Sequence, residues 1–341
     1  MHMADALISP AVGGAFWAVS GGMIAWCARQ VKRTARDNLV PMMGVLGAFI
    51  FAAQMINFSI PGTGSSGHLG GGLILAVLLG PYAAFLVIAS VLTVQAFFFA
   101  DGGLLALGCN IFNMGFVPAF VAYPLIYRTL ARGQYGTPRA WGAAMAAAVV
   151  GLQLGAFGVV LQTRASGISE LPFGTFALMM LPIHLAIGLV EGWATAAVVA
   201  FVAQARPEVL PTAPASQTPV RLRPVLIGLV IATVAVGGVA SWFASTHPDG
   251  LEWALARVSG HEELDAPTEG IYQKLAHVQE RTSFLPDYGF KASTETSMAT
   301  DAPEAVAWPA VSAGTSVAGI VGGALTLALA GLLGFVLRAR A

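Results

Sequence analysis

The sequence predicts an all-α polytopic membrane protein, from its composition, the length of its apolar segments and the distribution of its basic residues. Hydrophobic residues make up 56% of the 341-residue chain and charged residues only 10%, and the mean hydropathy is +0.74. A soluble domain carries roughly 25% charged residues. The chain is therefore too apolar for a soluble fold, and we expect a membrane protein in contact with lipid.

Nine apolar segments of about 20 residues, the length that crosses a bilayer, follow one another along the chain. The third and fourth are crowded together at Gly80-Pro81, where the proline must break a helix. The predicted spans lie near residues 10–27, 40–58, 69–88, 82–100, 104–127, 141–161, 175–203, 224–244 and 313–337.

Basic residues give the expected orientation, because cytoplasmic loops carry an excess of Lys and Arg. Four clusters follow span one, separate spans five and six, separate spans seven and eight, and end the chain: Arg29, Lys32, Arg33 and Arg36; Arg128, Arg132 and Arg139; Arg206, Arg221 and Arg223; Arg338 and Arg340. Apart from the long loop 245–312, only Arg164 falls on the other side. We expect a multi-pass protein of the bacterial cytoplasmic (inner) membrane, with the N-terminus outside and the C-terminus inside.

A proline-containing stretch divides the chain into two modules. Module one is residues 1–205 with seven spans, the linker is 206–223, and module two is 224–341 with two spans around the loop 245–312. That loop holds eleven of the seventeen acidic residues and four basic ones. This acidic bias suits an extracytoplasmic loop, which is exempt from the pressure for positive charge inside.

Helical spacing predicts helix within 251–281 of this loop, whereas the Ser-, Thr- and Pro-rich stretch 283–309 is expected to be irregular. Its histidines, His247, His261 and His277, have no ligand-like spacing and are read as solvated loop residues.

The start of the chain, Met1-His2-Met3, can itself chelate a metal. The α-amine of Met1, the backbone nitrogen of His2 and the His2 imidazole can close two fused rings around one ion. A planar set of nitrogen donors selects nickel or copper among divalent metals. We expect Met1 to be retained, because methionine is normally trimmed only before a small residue.

A second candidate ligand, His68, lies in the glycine-dense segment 59–72 at the predicted outer face. Irregular backbone at membrane depth persists only where protein or a cavity covers it, and glycine lets other backbone approach the histidine closely. The alternative is an ordinary loop histidine in contact with solvent.

Several separate motifs in this sequence resemble the NikM/CbiM family, the substrate-binding membrane subunits of energy-coupling-factor transporters for nickel and cobalt. They cover nearly all of module one. The motifs are Met1-His2-Met3-Ala4-Asp5-Ala6-Leu7-Ile8-Ser9-Pro10, Phe51-Ala52-Ala53-Gln54-Met55-Ile56-Asn57-Phe58, Ser66-Gly67-His68-Leu69-Gly70-Gly71 and the run from Asp101 to Met114. Module two resembles the companion subunit NikN/CbiN through His247-Pro248-Asp249-Gly250-Leu251-Glu252 and through Ser241 and Ser245.

The resemblance implies a seven-helix substrate-binding (S) component bundle, followed by two more transmembrane helices that flank an extracytoplasmic loop. It also implies that Met1, His2 and His68 hold the transported metal, through the Met1 amine, the His2 backbone and side-chain nitrogens and the His68 imidazole. The transported ion is Ni²⁺, or Co²⁺ as the alternative. The planar nitrogen set and the fusion to a companion module favour nickel.

Four further polar residues lie within predicted spans. Asn110 and Asn113 share a helix face at i, i+3, and either steer the histidine ligands from an outer shell or bond between helices. His184 and Glu191 lie on one face of span seven and are functional candidates because they are ionisable. A hydrogen-bonded pair, or a contact with a partner subunit, is the preferred interpretation over direct metal binding.

The chain has no site that hydrolyses ATP through a phosphate-binding loop, which needs Gly-Lys before Ser or Thr. None of its lysines, Lys32, Lys274 and Lys291, follows a glycine. We therefore predict a transporter subunit rather than an enzyme, with no catalytic residues. The resemblance implies as partners a transmembrane coupling subunit (EcfT/NikQ-like) and cytoplasmic ATPase subunits (NikO-like). Nucleic acid is not expected as a partner.

Two rival classes are less favoured. A passive channel needs weak ligands that let the ion leave again, whereas the expected site is a single tight chelate. An intramembrane metalloenzyme needs an open metal position and a general base, and the sequence contains no His-Glu-x-x-His motif.

Overall fold

Helices dominate the protein in the computed structural model, which describes residues 2–34, 39–205, 210, 223–291 and 308–338. The predicted all-α polytopic class is confirmed. In chain order the helices are α1 (Pro10–Thr34), α2 (Leu39–Gln54), α3 (Gly72–Leu79), α4 (Pro81–Phe98), α5 (Leu107–Ala131), α6 (Pro138–Ser166), α7 (Phe173–Ala205), α8 (Arg223–Gly238), α9 (Gly250–Ser259), α10 (Gly270–Thr282) and α11 (Ala313–Leu337). Short 3-10 turns lie at Asp5–Leu7, Ala240–Phe243 and Pro286–Tyr288.

Within the described ranges, six helices are long and apolar enough to cross a membrane: α1, α4, α5, α6, α7 and α11. Two more apolar helices, α2 and α8, have 16 residues each. These eight helices correspond to eight of the nine predicted spans. The linker 206–223 falls outside the described residues apart from positions 210 and 223.

The third predicted span, 69–88, is wrong as a single crossing helix. The structure has α3, which is only 8 residues long and entirely buried, and then a break at Gly80, where φ is +81°. At 1.5 Å per residue α3 is about 12 Å long, too short for a hydrocarbon core of about 30 Å. Pro81 then takes the first turn of α4, where its missing N–H costs nothing.

Helix α5 departs from the α-helical repeat over most of its length. Its central stretch, Phe112–Tyr127, is π-helical and contains Pro118 and Pro124. A proline lacks the N–H that an α-helix needs and clashes with the carbonyl one turn back, which accounts for the wider repeat here. The first turns of α5 carry Asn110 and Asn113, both buried.

Small residues allow close packing between α6 and α7. A Cβ on Gly188 would lie 3.0 Å from Val149 Cα, and a Cβ on Gly192 would lie 2.7 Å from Met145 Cα. Two glycines four residues apart on one helix face form the small-residue interface typical of membrane helices.

The two modules form one body through the packing of α11 on α2. A Cβ on Gly322 would lie 2.0 Å from the ring of Phe51, so only glycine fits there. At a second contact between these helices, a Cβ on Gly44 would lie 3.0 Å from the carbonyl oxygen of Leu327. Module two is therefore packed into the bundle rather than joined only by its linker.

The N-terminal residues lie against the segment before α5. Gly103 donates its N–H to the Met3 carbonyl at 2.9 Å, and Ala106 donates its N–H to Asp5 Oδ1 at 2.9 Å. A Cβ on Gly103 would lie 1.9 Å from that same Asp5 oxygen. The glycine thus permits the close approach that draws the start of the chain into the bundle, where Met3 is fully buried.

The glycine-dense segment before His68 folds as a β-hairpin. Strand β1 (Phe58–Ile60) pairs antiparallel with β2 (Ser65–Gly67), and the turn uses positive φ at Gly62 and Gly64. Glycine adopts such φ values without steric cost. The hairpin ends at Gly67, directly before His68, and so fixes the position of that histidine.

The loop 245–312 contains two helices, α9 and α10, within the stretch that was predicted to be helical. Helix α9 ends at Gly260, which has a φ of +84°, as is common at helix C-termini. Of the stretch predicted to be irregular, 283–291 contains only a 3-10 turn, and 292–307 lies outside the described residues.

Candidate metal-binding site

The fold brings His2 and His68 together although they lie in different segments. Their rings stack with centroids 5.1 Å apart and an interplanar angle of 16°. Two imidazoles that bind one ion at about 2 Å per nitrogen have ring centres no more than about 6 Å apart. The two predicted ligands are therefore within reach of a single ion, while Met1 lies outside the described residues.

Burial keeps both imidazoles neutral. Their side chains are 8% and 10% exposed, and loss of hydration lowers the pKa of His2 to about 3 and that of His68 to about 4. A histidine must be neutral to bind a metal. Near pH 7 neither ring has a proton to lose before it can act as a ligand.

Asn110 fixes the backbone beside His2. Its Oδ1 accepts the Met3 N–H at 2.9 Å, and its Nδ2 donates to the Met3 carbonyl at 3.2 Å. A Cβ on Gly102 would lie 3.0 Å from Asn110 Nδ2 and 3.4 Å from His2 Cβ. Asn110 thus holds the residue next to the predicted ligand.

Asn113, the other asparagine on this face, has a different partner. It exchanges two hydrogen bonds with Gln162, at 2.7 and 3.1 Å. Its Nδ2 is 3.9 Å from the sulfur of Met3, a weak contact. Asn113 therefore links α5 to α6 and only borders the N-terminal segment.

Asp101 faces His2 from the loop between α4 and α5. Its Oδ1 lies 3.2 Å from His2 Nδ1, and its Oδ2 accepts a hydrogen bond from the Tyr288 hydroxyl. The motif that contains Asp101 did not by itself indicate a role for this residue. The signal available in the sequence was an aspartate directly before two glycines. In the structure these glycines approach the N-terminal residues.

Asp249, in module two, faces His68. Its Oδ2 lies 3.9 Å from His68 Nε2, while its Oδ1 accepts the N–H groups of Leu251 and Glu252 at 2.7 and 2.9 Å. Glu252 accepts the Asp249 N–H in return, at 2.8 Å, which completes a capping box. The spacing Asp249-x-x-Glu252 could have predicted the helix start, but not its position next to His68.

In His68 the nitrogen that faces Asp249 is Nε2, because the other ring nitrogen, Nδ1, is hydrogen-bonded to the backbone. Nδ1 lies 3.1 Å from the carbonyl of Leu69, so it carries the proton and Nε2 carries the lone pair. Just before it, Ser66 donates its N–H to Pro248 O at 2.8 Å and its hydroxyl to His247 O at 2.8 Å. Module two therefore holds the segment that carries His68.

Glu191 and His184 do not hydrogen-bond to each other, which was one of the two interpretations preferred from sequence; contact with a partner subunit stays a prediction. Glu191 accepts the N–H of Gly70 at 2.7 Å and of Gly71 at 3.0 Å, one with each carboxylate oxygen. His184 Nδ1 lies 2.8 Å from its own helix carbonyl at Met180. Two ionisable residues on one face thus have separate partners, and Glu191 fixes the backbone directly after His68.

The loop of module two also covers the N-terminal segment. The Tyr272 hydroxyl donates to the carbonyl of Ile8 at 2.9 Å. Gln279 donates to the carbonyls of Ala96 and Gly102 at 2.9 and 2.8 Å. These contacts, together with the hydrogen bond from Tyr288 to Asp101, are called the cover below. The histidines His247, His261 and His277 are exposed, as expected.

Among the residues that the structure describes, no three His, Cys, Asp or Glu side chains already stand in an arrangement that could hold a metal. Side chains of these four types therefore do not form a complete preformed site here. A metal bound by His2 and His68 needs donors of another kind, such as an amine or a backbone nitrogen.

Comparison with known proteins agrees with this architecture. Residues 2–209 match the family CbiM, "Cobalt uptake substrate-specific transmembrane region", and residues 223–339 match the PDGLE domain. A protein named "Putative fused nickel transport protein NikMN" from Archaeoglobus fulgidus is 36% identical over 335 residues, which are 96% of each chain. A "Fused nickel transport protein NikMN" from Rhodobacter capsulatus is 31% identical and covers 84% of this chain and 88% of its own.

A crystal structure described as a truncated transition metal transporter superposes with a TM-score of 0.53 at 28% identity, and covers 60% of this chain and 99% of that one. The resemblance inferred from sequence motifs is confirmed in both modules. This chain belongs to the CbiM family of membrane components of metal transport, and carries a PDGLE domain fused to its C-terminal side.

Proposed function

We propose that this chain is the substrate-binding subunit of an ATP-driven, energy-coupling-factor-type importer of nickel. The metal is captured by four nitrogens: the Met1 amine, the His2 backbone nitrogen, His2 Nδ1 and His68 Nε2. The single observation that carries the proposal is the stacking of the buried rings of His2 and His68 at 5.1 Å. Asn110, which fixes the backbone of the next residue, supports it.

The chemistry of the chelate requires one change at His2. Only Nδ1 can close a six-membered ring with the His2 backbone nitrogen, and in the structure Nδ1 faces Asp101 at 3.2 Å. A half-turn of the ring about Cβ–Cγ frees Nδ1 and brings Nε2 to the side of the carboxylate. Asp101 then accepts the Nε2–H, the outer-shell arrangement that orients metal-bound histidines.

The donor set and the relatives both favour nickel. A plane of four nitrogens, one of them a deprotonated amide, suits nickel better than cobalt. Both fused relatives described above are named for nickel transport. Cobalt is the alternative cargo, since the matched family is described by cobalt uptake.

The energy for uptake comes from partners in this proposal. The chain lacks a glycine before any of its three lysines, so it cannot form the usual phosphate-binding loop. A transmembrane coupling subunit and cytoplasmic ATPase subunits supply the missing function. The arginine clusters orient the subunit in the inner membrane with the metal site and the loop 245–312 outside. The chain leaves and returns to that outer side through the short α3 and α4, because His68 before α3 and Asp101 after α4 both face His2, and α5 then carries Arg128 to the inside.

Module two acts on the metal site by contact. The cover holds Ile8, Gly102 and Asp101, and the start of α9 holds Ser66. The acidic surface of the loop contributes less, because attraction between exposed charges is screened beyond about 8 Å at physiological salt. We infer that the loop orders the two ligand segments for capture.

Adding one glycine before Met1 should abolish tight nickel binding. The added residue turns the amine donor into an amide and shifts His2 out of register for the fused rings. Nickel affinity can be measured by calorimetry on protein purified with a C-terminal tag. The matched control adds the same glycine after Ala341, and an N-terminally extended protein with native affinity would refute the chelate.

His2→Ala and His68→Ala should each eliminate nickel uptake by the assembled transporter, because each removes a nitrogen from the plane. Asn110→Ala removes only the hydrogen bonds that fix the backbone of Met3. It should weaken nickel affinity by roughly 10- to 100-fold. Asn113→Ala, whose partner is Gln162, should cost less than Asn110→Ala. Uptake of radioactive nickel and affinity measured on the purified protein check this order. An active His68→Ala variant would contradict the ligand assignment.

Breaking the cover with Gln279→Ala and Tyr288→Phe together should slow nickel uptake, by roughly tenfold if the cover acts as an outer shell. Assembly with the partner subunits should persist, since α8 and α11 are unchanged. The control neutralises two exposed acids of the same loop, Asp265→Asn with Glu269→Gln, and should leave the rate nearly unchanged. The initial rates of nickel uptake by the two double variants are compared. A larger decrease in the control variant would favour electrostatic capture of the metal over the contact mechanism.

A further inference from the structure

Two glutamines, Gln54 at the end of α2 and Gln95 in the last turn of α4, form a buried amide pair. They are 5% and 0% exposed, and Gln95 Nε2 donates to Gln54 Oε1 at 2.9 Å. Burying amide groups is costly unless they are hydrogen-bonded. The planar site proposed above leaves this pair without a role.

Gln54 connects the pair to the segment that carries His68. Its Nε2 donates to the Gly70 carbonyl at 2.8 Å. The N–H of the same Gly70 is donated to Glu191 at 2.7 Å. Both backbone polar groups of a residue two positions after His68 are therefore held by buried side chains, one from α2 and one from α7.

The Gly70 carbonyl also fixes the direction of the amide pair. A carbonyl oxygen only accepts hydrogen bonds, so Gln54 presents its amide nitrogen to Gly70 and its oxygen to Gln95. Gln95 in turn presents its nitrogen to Gln54. The remaining oxygen, Gln95 Oε1, is buried and accepts no hydrogen bond from any residue that the structure describes. The pair therefore ends in an acceptor on the side away from Gly70.

Gln95 brings this other end to His2. Its backbone carbonyl accepts the Asp101 N–H at 3.2 Å, and Asp101 Oδ1 lies 3.2 Å from His2 Nδ1. Burial lowers the pKa of His2, and the side chain of Gln95 is near enough to act in the opposite direction, as an acceptor for a ring N–H does. Gln95 thus meets the His2 side of the site through Asp101 and through its own amide.

We propose that Gln54 and Gln95 are positioning residues that fix the two ligand segments relative to each other and so favour nickel over cobalt. They join Gly70 to Asp101 through hydrogen bonds of 2.8, 2.9 and 3.2 Å, which are called the glutamine chain below. The inference rests on the proposed function, because it concerns the planar site.

The preference for nickel follows from the geometry of the plane. A planar nitrogen set suits nickel better than cobalt, and the plane exists only while the imidazole of His68 stays level with the donors of the N-terminus. The glutamine chain holds that arrangement before the metal arrives. Cobalt gains less from planarity and loses less when the His68 segment shifts. Breaking the chain should therefore weaken both metals and reduce the preference for nickel.

The test compares Gln54→Met and Gln95→Met in the full-length protein with its native N-terminus, because methionine keeps the side-chain length and removes the hydrogen bonds. Gln162→Met is the matched control. Gln162 is 4% exposed and belongs to an amide pair with Asn113, which does not join the ligand segments. Affinities for Ni²⁺ and Co²⁺ are measured by calorimetry in detergent.

Each chain variant should weaken nickel binding by roughly 10- to 100-fold, as loss of an outer-shell partner does, and cobalt binding by less. The control should keep the native ratio of nickel to cobalt affinity. The double variant of Gln54 and Gln95 should lose little more than either single variant, because residues of one hydrogen-bond network are not additive.

Hydrogen exchange of the metal-free protein gives a readout that needs no metal. Exchange at Gly70 and Gly71 should be faster in Gln54→Met than in the native protein or in Gln162→Met. Gel filtration identifies variants that misfold. If Gln54→Met does so, Gln54→Asn replaces it with the same expectation, because it keeps an amide but shortens its reach to Gly70.

The proposal is overturned if the chain variants keep the native ratio of nickel to cobalt affinity, or if exchange at Gly70 is the same as in the control. A native protein without a planar nickel spectrum would refute the planar site, and the nickel preference with it. Hydrogen exchange in the metal-free protein would then decide the positioning role by itself.

Discussion

The proposed metal site depends on the two hydrogen bonds between Asn110 and the backbone of Met3. Asn110 meets both the N–H and the carbonyl of that residue, so the start of the chain is held as a strand partner would hold it. One intramolecular hydrogen bond contributes about 1 kcal/mol, whereas a buried polar group left without a partner costs about 1–3 kcal/mol. Release of the N-terminus is thus unfavourable, and His2 stays beside His68.

Around this pair, the fold supplies support from both modules. Glycines at 102 and 103 let the loop before α5 come within contact of the N-terminal residues, and Asp101, in the same loop, lies next to His2. On the other side, Glu191 and the start of α9 fix the segment that carries His68. Each ligand is therefore held by its neighbours in the chain, and module two touches both ligand segments. Fusion of the two modules keeps this contact intramolecular.

Much of this could be predicted from the sequence, because span length and apolar composition are local properties. The two candidate histidine ligands, His2 and His68, were proposed from motif and donor chemistry, and the structure brings their rings together. The helix break at Gly80-Pro81 was predicted, but the short, buried α3 in place of a full third span was not, because its burial depends on packing by neighbouring helices. The partners of Glu191, Asp101 and Asp249 were also hidden, because each contact joins residues that are far apart in the chain.

The central claim is that nickel is bound by nitrogens alone, two of them from the start of the backbone. Nickel K-edge X-ray absorption of the loaded, natively terminated protein tests it most directly, because the spectrum reports both geometry and donor type. The account predicts a square-planar ion with four nitrogen donors, two of them imidazoles. A six-coordinate spectrum, or one that contains carboxylate oxygens, would contradict it.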